Sequence, residues 1–553
     1  CCSFMKSQRV KNIYLAVPIL LLVILVASIC ILAWVPPVSR DALVHHLAIP
    51  KLWLKHGGIY EIPDLVFSYY PMGLDLLYMI PLYFGNDILP KFIHFAFALG
   101  TAWLIFTYLT KRLDGFYAIL GGLLFLSTPV IVKLSITAYV DLGLIFFSTA
   151  GLMYTLTWHE DPRHTKHLVM AALCGGMALC TKYNGLIVLL LLTLLVIFIA
   201  SRGVAEGKHT PSRAVLISML FIVVAGLVYS PWGMKNFIWT GNPVFPLFDN
   251  WFNASDPHTL QSVPPVILRK LMYGETWLET VLVPLRVFFQ GQDDSHQYFD
   301  GKLNPALLIL PIFAFVMTIR DKNSHRNNVE NGMMLMFSIL LVLIVFFQTN
   351  MRIRYIAPVI PCLVILSMFG LKNIFLHLGK LFEGKARRVA AGISVVTVLL
   401  ILGGNMTYMI KQFQLVAPFQ YLRGNISRHD YIEKFRPEYA AIRHANLFLP
   451  ADAKILSLFI GNRGYYSDRE MLFDINLFHA AVQKSDSPEE LQAQCVNLGL
   501  THVLIRLDMF NNWIHNNLNK MKKQLVINFL NSRTSLLFSK NGHNLYRLRG
   551  LQN

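Results

Sequence analysis

Acids and bases in this chain gather at the ends of long apolar runs, and chemistry could sit there. Asp41 stands in Arg40-Asp41-Ala42-Leu43-Val44-His45-His46, just after the first apolar run. Asp141 opens another run, in Thr137-Ala138-Tyr139-Val140-Asp141. A carboxylate in such a place is either a helix cap or a working acid or base. Three cations hold similar positions. Lys182 lies in Thr181-Lys182-Tyr183-Asn184-Gly185, and Arg352 and Arg354 lie in Asn350-Met351-Arg352-Ile353-Arg354-Tyr355. They either snorkel to lipid headgroups or recognise an anionic phosphate, for which arginine offers a planar fork. Asp293, Asp294, His296 and Asp300 form a further polar group. Those side chains suit a divalent cation, but their spacing matches no metal signature and reads better as a solvated loop.

The elements that must position these residues are membrane helices. The 553 residues are 55% hydrophobic and 14% charged, where a soluble domain carries about a quarter charged residues. Mean hydropathy is +0.49. Many runs approach the roughly 20 apolar residues that cross a bilayer as helix. The formal charge of +18 fits Lys and Arg in cytoplasmic loops. No basic surface interleaved with aromatics is present, which argues against a nucleic-acid partner. Seven cysteines without a CxxC exclude a disulfide framework and a zinc knuckle. Met5-Lys6-Ser7 reads as an ordinary start after four extension residues, and the long run beyond it reads as an anchor rather than a cleaved signal.

The first span covers about 13–34, with Lys6, Arg9 and Lys11 before it, so the N-terminus is expected inside. Further spans are expected near 91–110, 117–133, 139–157, 167–180, 184–200, 214–232, 303–319, 332–348, 355–376 and 388–408. Apolar pieces at 71–84 and 277–290 read as half-spans or interfacial helices, for a total of 11–13 helices. Five loops then place their charge on the N-terminal side: Lys111/Arg112, Arg163/Lys166, Arg202/Lys208/Arg213, Arg320/Lys322/Arg326 and Lys380/Lys385/Arg387/Arg388. Asp41, Asp141, Lys182, Arg352 and Arg354 all fall on the outer face. The expected organisation is a membrane module over 1–410, with outer loops 35–90 and 233–302, and a small extracytoplasmic α/β domain over 411–553. In that domain Ile455–Ile460 and Thr501–Leu507 read as strands and Ser487–Leu498 as a helix. Ser535–Ser539 and His543–Leu548 flank an Asn541-Gly542 hairpin turn.

Taken in order, these features resemble the C-fold (GT-C) glycosyltransferases that use polyprenyl-phosphate sugars. The resemblance is strongest to the branch of aminoarabinose transferases and protein O-mannosyltransferase-like enzymes. It rests on Asp41 and its following segment, Tyr139-Val140-Asp141, Gly176–Gly185, Asn242-Pro243-Val244-Phe245-Pro246, Arg354–Pro361, Pro450–Leu456 and Gly464-Tyr465-Tyr466. Two places depart from the pattern: Ala42 follows Asp41 where many relatives pair Asp with Glu, and Ser68-Tyr69-Tyr70-Pro71 lacks a lysine before its proline.

The resemblance implies a mainly α, polytopic GT-C bundle and an inverting transfer of sugar from a polyprenyl-phosphate donor at the outer face. Asp41 would be the general base, and Asp141 would orient the acceptor or share a divalent metal with Asp41. Lys182, Arg352 and Arg354 would bind the donor phosphate. His45, His46, Tyr139 and Asn242 are candidate donor or acceptor contacts. The acceptor would be a lipid, glycan or protein, and the setting a bacterial inner membrane. A flippase without chemistry and an O-antigen ligase-like enzyme are the competing readings.

Overall fold

The computed structural model describes residues 8–162, 164–208, 210–253, 264–316, 324–348, 350–381, 400 and 402–550. The expected span 388–408 lies largely outside them, as do the loop cations Arg163, Arg320, Lys322, Lys385, Arg387 and Arg388. The chain forms two compact units. One comprises residues 1–34, 69–78 and 88–418, and the other 35–68, 79–87 and 419–553.

The first unit is helical. Its elements are α1 (Gln8–Ala33), then, after α2 (Ala48–His56) of the second unit and the shared α3 (Asp75–Tyr83), α4 (Leu89–Arg112), α5 (Gly115–Ser127), α6 (Pro129–Ser135), α7 (Asp141–Glu160), α8 (Thr165–Thr181), α9 (Gly185–Ala205) and α10 (Pro211–Thr240). Short helices follow, α11 (Asp249–Phe252), α12 (Pro265–Tyr273), α13 (Trp277–Val281) and α14 (Val283–Arg286). The unit then continues with α15 (Ala306–Val316), α16 (Ser324–Gln348) and α17 (Ile360–Leu381).

Six helices among the described residues are long and apolar enough to cross a membrane: Leu15–Ala33, α4, α9, α10, Arg326–Gln348 and Ala357–Leu378. A seventh arises if α5 and α6, bent by 67°, make one span. This count covers the described residues alone, and the expected span 388–408 lies largely outside them. α7 has 20 residues but interleaves Ser148, Thr149, Thr155 and Thr157, whose hydroxyls donate back to carbonyls one turn earlier. α8 is apolar but shorter, and the residues that follow α15 lie outside those described. Of the expected half-spans, 71–84 becomes α3 and 277–290 becomes α13 and α14.

Burial separates lipid-facing from central helices. α10 exposes Val215, Leu216, Met219, Ile222, Val223 and Leu227, which would be costly in water at about 25 cal/mol per Å². α17 is the central helix, with 72% of its apolar window buried. It lies against α15 so closely that a Cβ on Gly370 would stand 2.1 Å from the Leu310 carbonyl oxygen.

The second unit is α/β. Its five-stranded mixed sheet runs β2 (Glu470–Leu472), β1 (Lys454–Leu458), β3 (His502–Arg506), β5 (His543–Leu548), β4 (Thr534–Lys540). β1 is parallel to β2 and β3, while β5 is antiparallel to β3 and β4. Side chains alternate across it. Leu456, Leu458, Val503 and Ile505 meet Phe478, Val482, Phe510 and Phe529 on one face. Ile455 and Leu504 meet Ala441, Ile442 and Ala445 on the other. Asn541 and Gly542 take φ of 52° and 73°, the double left-handed turn a two-residue hairpin favours. Residues 35–68 and 79–87, expected as outer loops of the membrane module, group with this domain rather than with the bundle.

Candidate active site

The first unit assembles one charged cluster from the ends of its helices. Asp141 opens α7 and is 1% exposed. Lys182 follows the last turn of α8 in extended conformation, φ −167° and ψ 148°. Gly185 allows the tight return into α9, since a Cβ there would lie 2.2 Å from the Ala178 carbonyl oxygen. The turn delivers the Lys182 ammonium 2.8 Å from Asp141 Oδ1. Asp141 Oδ2 is buried and has no hydrogen-bond partner among the described residues. An ammonium carries three donors, and Asp141 is the one acceptor Lys182 meets among the described residues. The pair therefore keeps both donor and acceptor capacity for a ligand.

Aromatic rings and a second cation complete the cluster. Arg354 Cζ lies 5.7 Å from the Tyr139 ring centre and 5.5 Å from that of Tyr355. Lys182 Nζ lies 5.3 Å from the same Tyr355 ring. A cation over an aromatic face is attracted by the ring quadrupole, so Tyr355 draws both cations together. Arg352 also approaches Tyr355, at 5.8 Å, but its guanidinium Nη2 is 3.0 Å from His296 Nε2 and Nη1 is 4.0 Å from Asp300.

Two supporting residues escaped the sequence reading. Asp75, in α3, is 1% exposed and interacts electrostatically with Lys182 and Asp141. It is brought there by Gly73, whose N–H donates to the Cys180 carbonyl at 2.8 Å. Its signal was a carboxylate inside the apolar piece 71–84, which is expensive unless used. His94, in α4, fixes the start of α7: Nε2 accepts from the Leu142 N–H at 2.9 Å while Nδ1 faces the Leu134 and Thr137 carbonyls at 3.0 and 2.9 Å. That bonding selects the neutral ring with its proton on Nδ1. The Tyr78 hydroxyl donates to the Tyr139 carbonyl, holding the residue beside Asp141.

Asn242 is fully buried and serves its own loop. Its amide donates to the Leu247 carbonyl at 3.0 Å and to Asp249 at 3.2 Å, and its oxygen accepts from the Val244 N–H at 2.9 Å. The same loop is tied down by Tyr183 and Tyr229, whose hydroxyls donate to the Phe245 and Pro243 carbonyls at 2.7 and 2.9 Å. Farther along the chain, Arg269 and Arg286 clasp Glu275. Burial works against the Glu275 charge, yet the two guanidiniums hold its carboxyl below the usual range.

Asp41, His45 and His46 belong to the second unit. Asp41 precedes a π-helix, Ala42–His46, and makes no capping hydrogen bond to it. Such π-turns often occur at functional sites. His45 stacks on Phe67 with centroids 4.3 Å apart, and His46 is 7% exposed. The unit boundary thus runs between Asp41 and the Asp141–Lys182–Arg354 cluster.

Among the described residues no three His, Cys, Asp or Glu side chains form a metal-holding group. The Asp141 carboxylate already faces an ammonium and a guanidinium, which would repel a second cation. The acids Asp293, Asp294 and Asp300 surround Lys133, at 3.5, 3.2 and 3.5 Å, so a lysine stands where a cation would.

Comparison with known proteins agrees with this architecture. Residues 80–229 match the family model described as dolichyl-phosphate-mannose-protein mannosyltransferase. No curated protein matches the chain by sequence. Among solved structures, ArnT from Cupriavidus metallidurans in the apo state is similar with a TM-score of 0.56 at 16% identity, covering 96% of this chain and 97% of that one. ArnT bound to undecaprenyl phosphate gives 0.55 at 13% identity, covering 98% of each chain. The oligosaccharyltransferase AglB from Archaeoglobus fulgidus, in complex with an inhibitory peptide and a dolichol-phosphate, gives 0.53 at 13% identity, covering 98% of this chain and 75% of that one. The fold is the GT-C fold.

Proposed function

We propose that this chain is an inverting glycosyltransferase that moves a sugar from a polyprenyl-phosphate donor to an acceptor hydroxyl at the outer face of a membrane. The observation that carries the reading is the Asp141–Lys182–Arg354 cluster, in which a buried carboxylate oxygen and unspent ammonium protons stand together. The relatives in fold include one structure with undecaprenyl phosphate and one with dolichol-phosphate. A lipid-phosphate donor suits the outer face, because nucleotide sugars are made in the cytoplasm.

In this mechanism Asp41 accepts the acceptor proton as the hydroxyl attacks the anomeric carbon. The bond to the phosphate oxygen breaks, and the polyprenyl phosphate leaves as an anion. General-base catalysis of this kind contributes about 10²–10⁴-fold. Lys182 and Arg354 stabilise the negative charge growing on the leaving phosphate, and Arg352 extends the positive edge. Asp141 holds the Lys182 ammonium and offers Oδ2 to a hydroxyl of the sugar or acceptor. His45 and His46 brace the Asp41 segment, and Tyr139 places Arg354. The acceptor is a lipid, glycan or protein, and the setting is a bacterial inner membrane with the N-terminus cytoplasmic.

The test uses purified full-length protein with a polyprenyl-phosphate-linked sugar, reading release of polyprenyl phosphate. Release that requires an added acceptor, and that Asp41→Asn lowers by about 10²-fold or more, is expected. A flippase would release none. Turnover by Asp41→Asn close to that of the parent would remove Asp41 as the base.

A further inference from the structure

The second unit holds the chain around Asp41 from both sides with its own C-terminal domain. The segment after β1 does most of this work. Phe459, Gly461 and Asn462 take φ of 65°, 75° and 59°, turning the chain sharply so that Gly464-Tyr465-Tyr466 returns over the first outer loop. Loops at the carboxyl ends of parallel strands are where α/β sheets commonly place function. The Tyr466 hydroxyl donates to the Pro37 carbonyl at 2.7 Å, and Arg436 Nε donates to the Val38 carbonyl at 2.6 Å. Beyond Asp41, the Tyr465 N–H donates to the Leu43 carbonyl at 3.1 Å. Lys51 Nζ donates to the Tyr465 and Ser467 carbonyls at 2.9 and 3.0 Å and pairs with Asp468 at 3.0 Å.

The clasp is itself braced. Tyr465 and Tyr466 have ring centroids 4.9 Å apart, and Tyr439 meets Tyr466 at 5.1 Å. The Tyr465 hydroxyl donates to Asp87 at 3.3 Å, and Arg428 Nη2 donates to the same carboxylate oxygen at 2.5 Å. Burial, and then the Asp87 charge, push the Tyr465 phenol well above its usual range, so it stays a neutral donor. Three backbone carbonyls within four residues of Asp41 are therefore fixed by groups far away in sequence. The π-turn also carries its own bond, from the Leu47 N–H to the Ala42 carbonyl at 2.9 Å.

We propose that Arg436 and Tyr466, with the Tyr465 backbone, are positioning residues that set the orientation of Asp41 for transfer, so the C-terminal domain is part of the catalytic apparatus. This rests on Asp41 being the base. The experiment takes full-length Tyr466→Phe, Arg436→Met and Arg436→Lys, each alone and in the Asp41→Asn background. Tyr466→Phe removes one oxygen and keeps the ring, so it carries the test even if Arg436→Met fails to fold. Expected is a fall in kcat of about 10- to 10²-fold with donor KM held within about twofold, since misplacing a catalytic group acts on the chemical step. Arg436→Lys, which keeps one donor, restores part of the rate, and neither clasp variant lowers the residual rate of Asp41→Asn further. Asp41→Asn inactive with Tyr466→Phe at full kcat overturns the clasp and leaves the base assignment standing. Asp41→Asn at full turnover overturns the base itself. Equal changes in kcat and donor KM, or additivity with Asp41→Asn, would reduce the clasp to a structural contact and overturn the proposal.

Discussion

At the scale of single residues, the pairing of Asp141 with Lys182 has two consequences that mutation can separate. Removing one partner of a buried ion pair leaves the other charge uncompensated, at a cost of about 3–5 kcal/mol. Lys182→Met should therefore melt earlier than the parent and lose donor binding together. The double variant Lys182→Met/Asp141→Asn removes both charges and should recover most of the melting temperature. It should not recover donor affinity, because a charge-assisted hydrogen bond to phosphate is worth about 1.5–3 kcal/mol, or roughly 10- to 10²-fold. Binding of a labelled polyprenyl phosphate to the double variant at parental affinity would take Lys182 out of the phosphate site. Asp141, Lys182 and Arg354 were legible because charges at the ends of apolar runs stand out. Asp75 carried a similar signal inside the apolar piece 71–84, whereas His94 did not, since its partners come from other elements. Asn242 looked like a ligand contact because an Asn-Pro pair does not reveal that its amide closes its own turn.

At the scale of elements, the C-terminal sheet was readable where it alternates and opaque where it does not. β1, β3 and the β4–β5 hairpin follow a period of two and an Asn-Gly turn, so pattern alone located them. β2 has three residues and owes its existence to β1. Attachment of residues 35–68 to this sheet could not be read, because it depends on backbone hydrogen bonds to side chains about 400 positions away. The sheet also carries a pH dependence. His502 opens β3, is 4% exposed, and sits opposite Arg547 on β5. Burial, and then the Arg547 charge, push its imidazole down to about 4. The unfolded chain, with a histidine near 6.5, binds more protons than the folded one between those values. The stabilisation is then full above about pH 6.5 and is lost as pH falls toward about 4. A contribution on the order of 1–2 kcal/mol is expected. Thermal melting of the full chain should fall more steeply from pH 7 to pH 5 than that of His502→Gln, and parallel curves would refute the assignment.

At the scale of the whole chain, topology rests on charge asymmetry more than on helix counting. Length and hydropathy identify six or seven spans among the described residues, where α7 is polar-laced and α8 is short. The loop cations identify sides without needing that count, since Lys and Arg flanking the spans stay cytoplasmic. The Arg202–Arg213 loop should then be inside and the 419–553 segment outside. Single cysteines can decide this, because Cys174, Cys362 and Cys495 are buried, and Cys1, Cys2, Cys30 and Cys180 can be replaced by Ser in the test background. Lys208→Cys and Asn541→Cys put a thiol on exposed turns at the two ends of the argument. A membrane-impermeant maleimide on intact cells should label Asn541→Cys at once and Lys208→Cys only after permeabilisation. The reverse pattern would invert the topology and move Asp41, Lys182 and Arg354 to the nucleotide-sugar side. A lipid-phosphate donor would then lose its physical rationale, because the groups meant to hold its phosphate would face a compartment that supplies activated sugars in soluble form.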